Sequence, residues 1–387
     1  MRYSLLNFIQ CPVSKTDFAC VVTKEREIVL GHVHLTDSDR IHPAGAMFGP
    51  APRFQRQTPL TDFFHRNASK PAPVARNYQV AVEEGLLVSA ESRRWYPIRN
   101  FVPEILPDHL RDFTRDFEFL RTLQGSLPAE LFSALNDPRI FTAQSGTDSG
   151  IGYKTSEMQI AKKIENPHFF GPGYIAPYNP GATDHTAYLI RLFAFCLPLL
   201  MENGPNKLIL DAGCGYSWTT EWLLKIGMEP IGVDITRTYL DIAVARTGPW
   251  LPHLVQADTE NLPIRPGILD AVLCYEAFHH IPDRAQAMKG FSRVLKAGKR
   301  VVLAEPGGAH ESAAVSVDAM QKYGILERGM ELSDISLYIA GSGLSNPVQH
   351  RVIEVSDPQA SAMKLSADML RTYAFTNSNL YTVEKRS

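Results

Sequence analysis

From residue 207 onward the chain alternates short apolar runs with helical stretches, and that alternation limits the possible folds more than any other feature. Leu208 to Leu210, Ile231 to Val233, Leu254-Val255, Ala271 to Cys274 and Val301 to Ala304 read as five strands. Between them lie amphipathic segments such as Trp218 to Ile226, with Trp218, Trp222, Leu223 and Ile226 on one face, and Arg284 to Leu295. Strands separated by helices require right-handed crossovers, and hence a parallel sheet covered on both faces. The expected class is α/β, a doubly wound sheet, in which a ligand binds beyond the carboxyl ends of the strands near the topological switch point.

The residues at those strand ends are chemically specific. The first strand runs into Asp211-Ala212-Gly213-Cys214-Gly215-Tyr216-Ser217, where two glycines let the backbone approach a ligand and turn into a helix. The second ends at Asp234, whose carboxylate can accept hydrogen bonds from vicinal ribose hydroxyls. The third ends in Ala257-Asp258-Thr259, where the acid can accept from an exocyclic amine. Together they describe an adenosine site. A dinucleotide fingerprint would carry a third glycine and present a helix N-terminus to a pyrophosphate. Here Trp218 follows the turn and Asp211 precedes it, which suits a ligand with a cationic centre and an ammonium group.

Over residues 207 to 306 the sequence resembles the class I S-adenosylmethionine-dependent methyltransferases, in particular the ubiquinone-biosynthesis type. The resemblance implies a Rossmann-like sheet of seven strands, the last two, Gln349 to Val355 and Leu380 to Glu384, forming an antiparallel hairpin. It assigns Asp211, Gly213 and Gly215 to the methionine side of the cofactor, Asp234 and Ile235 to ribose and adenine, and Asp258 to the adenine edge. Cys214, Thr259 and Tyr275 complete the candidate cofactor set. Ser217 stands where relatives often have a third glycine. Ala277-Phe278-His279-His280-Ile281-Pro282 matches the loop after the fourth strand. Methyl transfer is an in-line displacement that depends on positioning, and an oxygen acceptor also needs a base. His279 and His280 are the candidate catalytic residues, with His279 favoured to contact the acceptor. No Asp/Asn cluster suggests a magnesium site, and the expectation is metal-independent transfer.

The first 106 residues read as a separate β-rich domain. Leu5-Leu6-Asn7-Phe8-Ile9-Gln10-Cys11-Pro12-Val13-Ser14-Lys15 and Tyr96-Pro97-Ile98-Arg99, with the apolar residues after it, resemble the zinc-ribbon family of methyltransferase activators, whose first strand ends in C-P-x-C-K. The second cysteine is replaced by Ser14, and Ser89 to Ser92 offers no second pair, so a metal-free remnant is expected. A count of Cys11, Cys20, His32 and His34 as four ligands follows no spacing required for zinc. Residues 42–76 hold six prolines, five Lys/Arg and one acid with no sustained period, an irregular basic insertion with room for an anionic partner. Residues 107–180 read as a helical linker and lid. Its amphipathic stretch Leu110 to Leu120 is expected to pack onto the following domain, and Tyr174, Tyr178 and His185 to cover the cofactor. Residues 181–387 form the methyltransferase domain.

Composition bears on partners. With 39 Lys+Arg against 41 Asp+Glu, the net charge of −2 gives no global nucleic-acid signature. Five cysteines make no disulfide framework, no signal sequence is apparent, and Ala187 to Leu200 is too short and too polar to span a bilayer, so a cytoplasmic protein is expected. The acceptor is expected to be a small molecule, a sugar or a lipid-linked group. An RNA or protein acceptor is the alternative, made less favourable for base methylation by Tyr275-Glu276-Ala277-Phe278 where an N-P-P-Y tetrad would stand. A non-catalytic cofactor-binding scaffold is a further alternative.

Overall fold

The computed structural model describes residues 1–28, 80–141, 150–163, 177, 183–201, 207–248, 251–350 and 378–386. The basic insertion at 42–76, His32, His34, Tyr174 and Tyr178 lie outside them. Two sheets organise the chain. The first is an antiparallel meander in the order β1 (Ala19–Glu27), β2 (Val80–Val88), β3 (Trp95–Arg99) and β4 (Val102–Pro103). Gly85 lets β1 and β2 close, because a Cβ there would lie 2.3 Å from the Val21 carbonyl oxygen.

The expected first strand over Leu5 to Ile9 is instead a 3-10 turn, Tyr3–Asn7, flanked by isolated bridges from Arg2 to Ala81 and from Ile9 to Ile264. Tyr3, Ser4, Leu5 and Leu6 are all buried. A strand would have sent alternate side chains to opposite faces. Cys11 and Ser14 meet Ser89 and Ser92 across the domain, with Cys11 Sγ 3.4 Å from Ser92 Oγ and Ser14 Oγ 3.0 Å from Ser89 Oγ. The two C-x-x-S and S-x-x-S turns thus do converge, as one thiol and three hydroxyls. Cys20, on β1, belongs to the same apolar cluster as Cys11.

The second sheet has seven strands in the order β10-β11-β9-β8-β5-β6-β7: β5 (Leu208–Ala212), β6 (Glu229–Asp234), β7 (His253–Gln256), β8 (Leu269–Tyr275), β9 (Leu295–Pro306), β10 (Val348–His350) and β11 (Ser378–Glu384). β5 to β9 pair in parallel, while β11 is antiparallel to both β9 and β10. This is the doubly wound, Rossmann-like arrangement, with the order reversing between β5 and β8. The five expected parallel strands and Leu380 to Glu384 are present, each extended by one to several residues; of the expected strand Gln349 to Val355, β10 includes Gln349 and His350, and residues 351–355 lie outside the described residues.

The helices follow the expected periods. α1 (Phe113–Thr122) is capped by Asp112, whose side chain accepts from Arg115 N–H at 3.1 Å. It is followed by α2 (Ala129–Leu135), α3 (Ile151–Lys163) and α4 (Thr183–Leu200). Within the sheet domain run α5 (Trp218–Lys225), α6 (Arg237–Thr247), α7 (Arg284–Val294), α8 (Ala314–Tyr323) and α9 (Leu332–Tyr338). Among the described residues no helix is long and apolar enough to cross a membrane.

α1 does not pack onto the second sheet as expected. Leu120 and Leu123 join Val88 and Trp95, and Phe117 meets the Trp95 ring edge-on at 5.7 Å. That face of the small sheet carries Trp95 and needs an apolar cover, which α1 and α2 supply. The two sheets are joined otherwise. Glu104, just after β4, bridges in parallel to Gln256 of β7, and Ile105 N–H donates to the Gln256 carbonyl at 2.7 Å. The small domain thereby covers the exposed edge of the large sheet. One apolar cluster runs across the junction, from Leu87, Tyr96 and Ile98 to Ile231, Val233 and Ile264. Beside it Arg237 Nη1 lies 2.8 Å from Glu104, and Arg99 Nη2 reaches both Glu104 at 2.5 Å and Asp116 at 2.7 Å.

Candidate active site

β5, β6 and β7 end side by side, and their carboxyl ends open onto one cavity. Its wall is formed by Gly213, Gly215, Asp234, Ile235, Tyr239, Ala257, Asp258, Thr259, Glu276, Ala277 and His280, with Lys154, Glu157, Glu260, Ile281 and Pro282. Of the sequence candidates, Gly213, Gly215, Asp234, Ile235, Asp258, Thr259 and His280 are on the wall. Asp211, Cys214, Tyr275 and His279 are not.

The glycine turn has a steric reason. Gly213 has φ +75°, and a Cβ on it would lie 2.5 Å from the Ala277 Cβ. Gly215 has φ +51°, with open space where its Cβ would project. Ser217 also lies in the left-handed region, φ 59°, where glycine is the unstrained residue.

Behind the turn, buried Asp211 accepts from the hydroxyls of Thr219 and Thr220, each at 2.6 Å, and so clamps the start of α5 rather than facing the cavity. Burial, only partly offset by those hydroxyls, raises its pKa to about 6. Cys214 packs with Leu240, Ala243 and Leu254. Tyr275 donates its hydroxyl to the Leu189 carbonyl at 2.7 Å and stands edge-on to Trp218. These three hold the walls in place.

Asp234 presents its carboxylate at the end of β6, accepting from Gly215 N–H at 2.8 Å and Thr236 N–H at 2.7 Å. Burial raises its pKa to about 6 against those bonds, with the charge of Glu157 adding to the rise. Asp258 caps the turn after β7 by accepting from Glu260 N–H at 3.0 Å, and it pairs with Lys154 Nζ at 3.0 Å. Lys154, on α3, also pairs with Glu260. Sequence reading missed Lys154 because it arrives from 104 residues upstream. α3 has no pronounced apolar stripe to announce that it covers a site.

On the opposite wall Glu276 is a half-buried carboxyl with φ 49°. Burial raises its pKa to about 8, with the charge of Glu305 adding to the rise. Tyr188 donates to it at 3.0 Å, and His185 stacks on Tyr188, with ring centroids 6.0 Å apart. The two histidines separate in role. His280 reaches the cavity while its Nδ1 lies 2.6 Å from the Leu326 carbonyl oxygen. His279 is buried behind it, with Nδ1 2.7 Å from Glu305, and burial holds its pKa well below the ordinary value. His280, not the favoured His279, is therefore the one at the cavity.

Among the described residues the wall carries the carboxyl groups of Asp234, Asp258, Glu157, Glu260 and Glu276 beside the ammonium of Lys154, so it suits a positively charged ligand with hydroxyl and amine donors. Comparisons with known proteins agree with this chemistry. Residues 210–303 match the family described as a methyltransferase domain, and residues 2–100 the family described as Trm112p-like proteins. The methyltransferase GfsG of Streptomyces halstedii is 33% identical over 157 residues, covering 39% of this chain and 55% of that protein. The ubiquinone biosynthesis O-methyltransferase of Sodalis glossinidius is 31% identical over 99 residues, covering 25% of this chain and 40% of that protein. The chain thus spans about half the length of the curated relatives it matches. A solved complex of the Haloferax volcanii Trm112 methyltransferase activator with a methyltransferase aligns at a TM-score of 0.42 and 18% identity, over 54% of this chain and 93% of that one, a likeness too slight to argue from. Residues 210–303 thus form a methyltransferase-family domain and residues 2–100 a Trm112p-like domain.

Proposed function

We propose that the protein transfers a methyl group from S-adenosylmethionine to a small-molecule, sugar or lipid-linked acceptor. The observation that carries this reading is the acidic cavity at the ends of β5, β6 and β7, walled by Gly213, Gly215, Asp234, Ile235 and Asp258. The residues fit the cofactor. The turn at Gly215 leaves space that a side chain would fill. Asp234 would receive the ribose hydroxyls on the lone pairs left after Gly215 and Thr236. Ile235 would lie against the adenine, and Asp258, already paired with Lys154, would share its oxygens with the adenine amine.

S-adenosylmethionine supplies an electrophilic methyl carbon on a cationic sulfur; the chain supplies position and a place for a proton. With an oxygen acceptor, the chain would have to hold the acceptor oxygen in line with that methyl carbon and take the proton of its O–H bond, with S-adenosylhomocysteine as the leaving group. Glu157, or His280 through Nε2 where that nitrogen is free, would take the proton, both being on the cavity wall. A charge-assisted hydrogen bond contributes about 1.5–3 kcal/mol. Asp234→Ala is therefore expected to weaken cofactor binding about 10- to 100-fold by titration calorimetry. Unchanged affinity would reject the assignment.

The Trm112p-like domain favours a second reading, an RNA or protein acceptor. Binding of RNA that weakens steeply with added salt would put that reading first.

A further inference from the structure

We propose that His279, His280 and Glu327 form a site for a divalent transition-metal ion of the zinc or iron(II) class, opening onto the cavity. One donor atom from each of the three residues lies within 4.8 Å of the others. His279 and His280 come from the loop after β8, Glu327 from the segment between α8 and α9, so only the fold brings them together.

Each donor is held from behind. Glu305 accepts from the backbone N–H groups of Ala277, Phe278 and His279, at 2.9 to 3.2 Å, and its carboxylate meets His279 Nδ1 at 2.7 Å. That assigns the proton to Nδ1 and leaves the Nε2 lone pair directed at Glu327, 3.6 Å away. The Leu326 carbonyl, which can only accept, does the same for His280. His310 Nε2 lies 2.7 Å from the Glu327 carboxylate and fixes its orientation. Metal-ligating histidines characteristically give their other ring N–H to a carboxylate or a backbone carbonyl, and ligating carboxylates are themselves hydrogen-bonded.

A second, independent observation lies at Glu157, whose Oε2 is buried with no hydrogen-bond partner among the described residues. Its electrostatic neighbours are His280 and Glu327. A cation bound between them would compensate that charge. Two imidazoles with one carboxylate suit zinc or iron(II), whereas magnesium prefers oxygen ligands alone. Three protein ligands leave positions open for water or for an acceptor oxygen. The role of such an ion in the reaction, holding and acidifying an acceptor hydroxyl whose proton passes to Glu157, rests on the methyl-transfer reading. The site itself does not. The proposal replaces the sequence expectation of metal-independent transfer.

The test is titration of the chelator-dialysed full-length protein with zinc(II) and cobalt(II), followed by calorimetry and visible absorption, with S-adenosylmethionine titrated in parallel. The expected result is one equivalent per chain and a cobalt ligand-field spectrum without sulfur-to-metal charge transfer. Binding should weaken at least about tenfold in Glu327→Gln and His280→Ala, and by a smaller factor in His310→Ala. Absence of stoichiometric binding, a cobalt–thiolate band, or equal affinity in folded Glu327→Gln and His280→Ala would overturn the proposal. Where a variant does not fold, the wild-type stoichiometry and spectrum decide. Cofactor binding without metal binding would end this proposal and leave the methyl-transfer reading intact; metal binding without cofactor binding would do the reverse.

Discussion

At the scale of single residues, the glycine turn and Asp234 set the properties of the cavity. Gly213→Ala places a Cβ 2.5 Å from Ala277 at φ +75°, so about 1–3 kcal/mol of stability should be lost. A fall in melting temperature together with weakened cofactor binding would register it; an unchanged variant would mean that the turn is not built as described. Asp234 makes a pH prediction. Its pKa in the free protein is about 6, above the ordinary 3.8. The stability it contributes is therefore complete below the unfolded value and lost as pH rises through 6. The ribose hydroxyls need an ionised acceptor, so cofactor affinity should rise from about pH 5 to about pH 7 and level off, with proton release on binding. Calorimetry in buffers of different ionisation heat checks this, and a flat profile would contradict it. The strand-end acids were legible because each follows a short apolar run at a spacing that reports the fold. What could not be read was which carboxylate faces inward. Asp211 and Asp234 look alike in sequence, yet the hydroxyls of Thr219 and Thr220 occupy one and leave the other at the cavity.

At the scale of elements, the cores of the parallel strands were legible because buried strands are continuous apolar runs, and α5 and α7 because their apolar faces repeat with helical period. Two elements were not. The Tyr3–Asn7 turn is apolar at successive positions and mimics a strand, and α1 carries an amphipathic face without naming the surface it covers. α3 is the element whose role the sequence hid most. Its Lys154 is buried between Asp258 and Glu260, and removing one partner of a buried ion pair leaves uncompensated charge. Lys154→Met should therefore cost about 3–5 kcal/mol in a denaturant titration. A loss below about 1 kcal/mol would place Lys154 in solvent rather than in the cavity wall.

At the scale of the whole molecule, the division into a small β-rich domain and a doubly wound sheet was apparent from the change of periodicity along the chain. The way they join was not, because bridges such as Glu104 to Gln256 and Ile9 to Ile264 are backbone contacts that carry no side-chain signature. Removing residues 1–106 would bare the β7 edge and the Ile231, Val233 and Ile264 side of the shared cluster. The truncated chain should be aggregation-prone and less stable. A soluble truncation with full cofactor affinity would show that the two parts fold independently.

The central claim is methyl transfer, and transfer of label tests it most directly. The full-length protein is incubated with methyl-labelled S-adenosylmethionine and fractionated small-molecule, glycan and lipid extract, alongside Asp234→Ala. Label should appear in an acceptor fraction with the wild-type protein, with S-adenosylhomocysteine formed in equal amount, and be reduced at least about tenfold with the variant at subsaturating cofactor. Cofactor bound by the wild-type protein with no label transferred to any fraction would contradict the claim.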